Sequence, residues 1–369
     1  MRYLCELRHF FISYLYHKGI NSLYTENMKE QPVRERMYSI DVLRAIATVI
    51  IVVTHVLQYH LHDFLTTFVW NYIHFAVVLF VFCSVSVLLP AVERMEMNVA
   101  SLFAWCKKRF WRLIKPFYVY IAAHALLILL LPSIFNGNGL KLTPTFLLDS
   151  ITLSGGINFN WLVLLFIEIA LVFPLIYKVS QKKNRSIGWG IASFCFIVAT
   201  LFMPELRSIY RPIMIIGWSL IVLLSILVVQ SKIKAFHVFL GAFAVFSLLL
   251  LVPDSYLVGA NLSSRLIDHK YPPDVYYLSY ATMMSMGVCF LGKAKFWEKL
   301  WLKVPISYIS RHSYEIFFMH YIVLDASLRL QWGVWSHLFF VFAITMTITY
   351  LIDVTPRFFA ALRMTKSSG

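Results

Sequence analysis

Long apolar runs alternate with short polar breaks along the chain, and each run is about twenty residues long. At a helical rise of ~1.5 Å per residue, a run of that length crosses a bilayer core about 30 Å thick. The pattern predicts about ten such helices, over residues 39–60, 68–90, 114–133, 159–178, 187–204, 212–230, 235–253, 275–292, 304–326 and 333–353. The fold class is therefore all-α: a polytopic integral membrane protein with about ten transmembrane helices.

Charge gives the orientation. Most of the 33 Lys and Arg residues fall in alternate connections, at 1–38, 91–115, 178–186, 231–234, 293–303 and 354–369. The remaining connections carry only Lys141, Arg207, Arg211, Arg265, Lys270 and Arg329. By the positive-inside rule, both termini are expected in the cytoplasm. The chain then divides into an N-terminal cytoplasmic or interfacial extension (1–37), a transmembrane domain (38–353) and a cytoplasmic tail (354–369). The opening stretch MRYLCELRHFFISYLYHKG does not read as a secretion signal, because Glu6, Arg8 and His9 interrupt it and no small-residue cleavage site follows. Met37 immediately precedes the first span, so residues 1–37 read either as an interfacial segment or as a product of start-site choice.

Composition agrees with this picture and narrows the chemistry. The chain is 60% hydrophobic and 14% charged, against about a quarter charged in soluble domains. The net charge of +15 belongs to topology-holding loops rather than to a nucleic-acid surface. Five cysteines (Cys5, Cys83, Cys106, Cys195 and Cys289) show no CxxC spacing, so neither a disulfide framework nor a metal site is expected. There is no phosphate-binding loop, no appended soluble domain and no convincing internal repeat, which leaves the work to the helical body. The connection FNGNGLKLTPTFLLDSITLSGGINFN suits a polyhydroxylated ligand but reads first as an ordinary loop.

Four polar clusters interrupt the apolar helices. In YSIDVLRAIATVIIVVTHVLQYH, Arg44 and His55 are eleven steps apart, which brings them within about 20° of one face and ~16 Å apart along the axis. An ionisable group at that depth is a functional-site hypothesis, and a neutral imidazole there can accept a proton. CKKRFWRLIKP holds Arg109 and Arg112 on one face, with Lys107, Lys108 and Lys115 beside them. That patch reads either as membrane anchoring against anionic lipid or as a phosphate clamp. In NWLVLLFIEIALVFP, Glu168 shares a face with Trp161 and needs either a proton or a cation such as Arg44 or His55. ISYISRHSYEIFFMHYIVL gathers Ser310, Ser313, Tyr314, Glu315 and His320 in one predicted span.

Taken in order, these segments resemble the membrane-bound acyltransferase family 3, the O-acyltransferases that decorate bacterial polysaccharides. IDVLRAIATVIIVVTH is similar to that family's first helix, with ten residues between its Arg and His. RFWR followed by Pro116, the Trp-led helix ending in Pro174, and the late S-x-x-S-Y…H segment resemble its later motifs, and YPPDVYYLSY is similar to a segment found in some members. The chain departs from the family at Val85, where a glycine is usual after serine, and at Glu315, Phe317 and Phe318; these departures bear on the acceptor more than on the reaction. The resemblance implies cytosolic acyl-CoA, most often acetyl-CoA, as co-substrate, with no permanently bound cofactor. It implies a hydroxyl of a cell-envelope or extracellular polysaccharide or glycoside as acceptor, membrane lipid as surroundings, and a bacterial plasma-membrane location. His55 would be the base or a transient acyl carrier, Arg44 would orient the donor, and Glu168 would set their charge state. Arg109, Arg112 and Lys108 would hold the CoA phosphates, with Trp161, Tyr314 and His320 in acceptor or supporting roles. The rival reading is a polysaccharide exporter or flippase of similar topology.

Overall fold

A computed structural model describes residues 38–135, 140–252 and 265–366. The N-terminal extension lies outside them. The described residues are helical, with one isolated backbone bridge between Lys270 and Pro273 and no named strand. Seven helical stretches are long and apolar enough to cross a membrane. Two more are apolar but short, Ala235–Leu251 (α9) and Val275–Leu291 (α10). The remaining predicted span is not one helix.

That span, expected over 304–326, is two helices: Leu300–Arg311 (α11) and Ser313–Ser327 (α12), which meet at His312. Non-helical backbone at membrane depth is tolerated where protein or a cavity surrounds it. Here Ser310 donates from its hydroxyl to Asp41 (2.7 Å), while Arg311 and Ser313 reach a cavity. The second span is likewise interrupted between Phe64–Tyr72 (α2) and Ala76–Glu93 (α3). The carbonyls released there are taken by α10: Tyr280 donates to Tyr72 O (2.7 Å) and Tyr277 to His74 O (3.0 Å). The third span is longer than expected. Val99–Leu130 (α4) runs for 32 residues through Pro116, so the cationic stretch and the apolar stretch form one rod. The last helix, Val334–Lys366 (α13), also continues past the predicted boundary at 353.

Helix α1, Tyr38–Leu57, is the shared wall of the fold. Leu43, Ala47 and Ile51 join the large apolar cluster built with α3, with Asn160–Ser180 (α6), with Tyr210–Val229 (α8) and with α10. Val42, Ala45, Val52 and Val56 face a smaller cluster formed with α11, α12 and α13. Its polar residues are satisfied locally, since the Thr48 and Thr54 hydroxyls donate to the carbonyls of Arg44 and Ile50. On α4, the buried His124 bridges the Tyr120 hydroxyl and the Asp325 carboxylate of α12, each at 2.9 Å.

The glycine-rich connection is structural in the way the loop reading anticipates. Helix Pro144–Thr152 (α5) ends on left-handed Leu153, and Gly156 has φ +72°. A Cβ at Gly156 would collide with the Ser150 hydroxyl and with backbone, so only glycine fits. The Ser150 hydroxyl meanwhile accepts the Ile157 N–H (3.1 Å). This turn delivers Phe159 and Trp161 to the start of α6.

The segment before α10 is fixed by one carboxylate. Asp274 caps the helix by accepting Tyr277 N–H (3.0 Å), and its other oxygen accepts from His269 Nδ1 (2.6 Å), with all three residues buried. Asp274→Ala should lower stability by about 2–4 kcal/mol, from the lost cap and the lost charged hydrogen bond. Thermal unfolding in detergent should show a midpoint several degrees lower, and an unchanged midpoint would contradict this account.

Candidate active site

Helices α1 and α12 are neighbours, and their contact brings together two histidines 265 residues apart. His55 Nδ1 lies 2.9 Å from His320 Nε2, and the rings are stacked at 5.1 Å and 15°. His320 Nδ1 lies 3.0 Å from the carbonyl of Ile316, one turn back. A carbonyl only accepts, so His320 carries its proton on Nδ1 and presents a lone pair at Nε2. That lone pair is answered by the N–H at His55 Nδ1. The basic lone pair of His55 is therefore at Nε2, where the Tyr321 hydroxyl donates at 2.7 Å. Tyr321 is stacked on Phe159 at 4.0 Å. His55 is half-buried as a residue, and His320 is buried.

A cavity of about 430 Å³ lies beside this pair, between α1, α3, α4, α6, α11 and α12. Arg44, Arg109, Arg112 and Arg311 line it, with Glu315 and Tyr314. Ile51 and Phe317 also line it, whereas His55, His320 and Tyr321 do not. Ile51 is one turn before His55, and the Phe317 ring is 5.7 Å from the rings of both His320 and Tyr321. The Arg109 guanidinium lies over Trp105 (4.5 Å), whose indole N–H donates to Ala170 O (2.7 Å), and its buried Nε has no hydrogen-bond partner. None of the four arginines forms an ion pair among the described residues. Tyr314 is held by donating to Leu113 O (2.7 Å).

The other sequence-predicted residues separate. Glu168 lies on α6 beside the cavity-lining Phe166, Ile169 and Ala170, yet it is not in the lining and its buried Oε2 is unpartnered. The expected pairing with Arg44 or His55 does not form. Lys108 is exposed and outside the lining. Trp161 sits away from the arginines, edge-on to Tyr271 at 4.8 Å, with the Lys270 ammonium 4.9 Å from its ring centre.

Three residues of the site escaped sequence reasoning. Tyr321 stands next to His320 in MHYIVL, and Arg311 was read only as part of a polar run. Lys270 is one of few cations in its set of loops, immediately before the YPPD segment.

A family description, acyltransferase domain, matches residues 37–354. The chain therefore belongs to acyltransferase family 3, a family of membrane acyltransferases. No curated protein and no solved structure matches it.

The tautomer argument gives His320 a positioning role, because it holds the His55 proton on Nδ1. His320→Ala should lower acyl-transfer turnover by ~10²-fold or more with little change in KM, on the scale of general acid–base effects. His320→Gln, whose amide oxygen can still accept, should restore part of the loss. Equal turnover in wild type and His320→Ala would show that the ring only packs.

Proposed function

We propose that the protein is a multi-pass plasma-membrane O-acyltransferase, of bacterial type, that takes an acyl group from cytosolic acyl-CoA. Acetyl is the group expected, and the acceptor is a hydroxyl of a cell-envelope or extracellular polysaccharide or glycoside. The observation that carries this reading is the cavity. Four arginines that form no ion pair among the described residues line it, together with Glu315, and its lining includes Ile51, one helical turn from an imidazole whose basic lone pair is assigned by hydrogen bonding. Unpaired arginines in a partly buried cavity suit phosphate groups, which they bind bidentately.

In this reading the basic end faces the cytoplasm. The CoA phosphates rest among Arg109, Arg112 and Arg311, and the pantetheine arm follows the cavity past Arg44 toward Ile51 and Phe317. The acceptor hydroxyl takes the position at His55 Nε2 that the Tyr321 hydroxyl occupies in the structure. As the hydroxyl oxygen attacks the thioester carbonyl, His55 Nε2 takes its proton. The carbon–sulfur bond then breaks, and the proton passes to the departing thiolate. The resulting imidazolium would be stabilised through Nδ1 by neutral His320, which accepts its hydrogen bond. The placement agrees with the helix geometry, since a base ~16 Å inward from Arg44 sits where a donor from one side can meet an acceptor from the other.

Membranes containing the protein, given labelled acetyl-CoA and an envelope-glycan extract, should place label on carbohydrate, and mass spectrometry should show the added acetyl group. His55→Ala should abolish transfer while insertion and expression persist. Full transfer by that variant would overturn the assignment of the base, and wild-type protein that neither binds nor consumes acetyl-CoA would favour the exporter reading.

The arginines make a separate, graded prediction. Arg109→Gln and Arg311→Gln should each raise KM for acetyl-CoA by about tenfold or more, as expected for losing a charge-assisted phosphate contact. Lys108→Gln should change it little. The check is initial-rate kinetics at varied acetyl-CoA, and equal effects at Lys108 and Arg109 would mean that the patch acts only through general charge.

A further inference from the structure

Lys270 is the structure's least explained charge. It is 6% exposed, yet its ammonium forms neither a hydrogen bond nor an ion pair among the described residues. It rests instead over two aromatic faces, 4.9 Å from the Trp161 ring centre and 5.5 Å from that of Tyr271. The nearby carboxylate in sequence, Asp274, is committed to His269 and to the cap of α10. With no counter-charge, burial pushes the Lys270 ammonium down to about 7. A buried cation is ordinarily paired, and no partner for this one stands among the described residues.

Its surroundings say where a partner would come from. Lys270 precedes α10 in a short, well-anchored segment: Leu266 N–H donates to the Asn71 side chain (2.8 Å), and the His269–Asp274 bond closes the turn. It is linked to the His55 site through the start of α6, where Phe159, two residues before Trp161, stacks on Tyr321 at 4.0 Å. It is absent from the lining of the arginine cavity, so it does not belong to the donor's phosphate site. The groups beside it are aromatic: the buried Trp161, Tyr271 and, 5.4 Å from Tyr271, Tyr210. Arg211, the other cation in this neighbourhood, is already engaged with Leu153 O (2.6 Å) and the Asn160 side chain (2.8 Å). Of these two cations, Lys270 is the one with no hydrogen bond or ion pair among the described residues.

We infer that Lys270 is an acceptor-recognition residue, and that the acceptor is an anionic carbohydrate whose carboxylate or phosphate pairs with this ammonium while a nearby hydroxyl reaches His55. The inference rests on the acyl-transfer reading above for the word acceptor, but not for the anion site itself. An arriving anion would supply the missing counter-charge and desolvate against Trp161 and Tyr271. A neutral sugar would leave the ammonium buried and unpaired, which is the basis of discrimination.

The test uses the full chain in nanodiscs of neutral phosphatidylcholine and three probes: oligogalacturonate, galactose phosphate and a neutral galactose oligomer. Binding is read by tryptophan fluorescence without donor, and transfer is read with labelled acetyl-CoA. Wild type should bind one of the anionic probes at least tenfold more tightly than the neutral one, and the responding probe identifies carboxylate or phosphate. Lys270→Gln and Lys270→Met should bring the ratio to parity, and Lys270→Arg should keep much of it, with thermal unfolding and acetyl-CoA binding as controls for folding. A wild type without preference for either anion, or a Lys270→Gln variant that keeps the preference, overturns the inference. Anion binding that depends on Lys270, in a protein that transfers no acetyl to any probe, would sink the acyl-transfer reading and leave the anion site standing.

Discussion

Hydrogen-bonding groups inside a bilayer have no water to fall back on, so each must be answered by another group of the same protein. His55 is answered at both nitrogens, by His320 on one side and Tyr321 on the other. Both partners come from one helix, and much of the architecture follows from bringing that helix to α1. The break at His312 lets α11 and α12 leave the line of a single span. Ser310 then reaches Asp41 near the start of α1 while His320 reaches His55 near its end. A straight helix would have to hold both contacts on one face over ten residues, about 1000° of turn, which returns roughly 80° off. The interruption absorbs that mismatch.

The same break also explains the cavity. Arg311 ends α11 and Ser313 begins α12, and both line it. Bilayer-depth backbone that is not helical needs a polar surrounding, and the cavity supplies one. Thus the feature that positions the two histidines also borders the cavity. Among the described residues the cavity's arginines form no ion pair, and the Arg109 Nε is buried without a partner. Native proteins seldom leave such atoms unanswered except where a ligand completes them.

What the sequence made legible was whatever depends on neighbours along the chain. Run length and hydropathy located the helices, and the eleven-step spacing placed Arg44 and His55 on one face, because both properties are local. The interruptions were hidden because they are tertiary. Pro116 lies inside an unbroken helix, while the break at 312 has no proline or glycine and depends on Asp41 and a cavity. His320 was visible as an unusual residue, but its partner lies 265 positions away and no spacing rule reaches that far. Glu168 failed as a partner for Arg44 or His55 because α1 packs chiefly on α3, α11, α12 and α13 rather than on α6. Lys270 was counted only as a rare cation in its set of loops. Its significance is the absence of a counter-ion, which no sequence displays.

The arginine cavity and the surroundings of Lys270 are chemically unlike. One is lined by guanidinium groups, planar and suited to phosphate oxygens. The other offers aromatic rings and a single ammonium. A translocation path would need its lining to suit one cargo along its whole length, whereas a transferase must recognise two different molecules and bring them to one atom. The arginine side suits a polyanionic carrier, and the Trp161–Lys270–Tyr271 side suits a ring bearing one charge. The His55 imidazole has its Nδ1 proton committed to His320 and its Nε2 lone pair covered only by a tyrosine hydroxyl. That hydroxyl is the same functional group that the acceptor would bring.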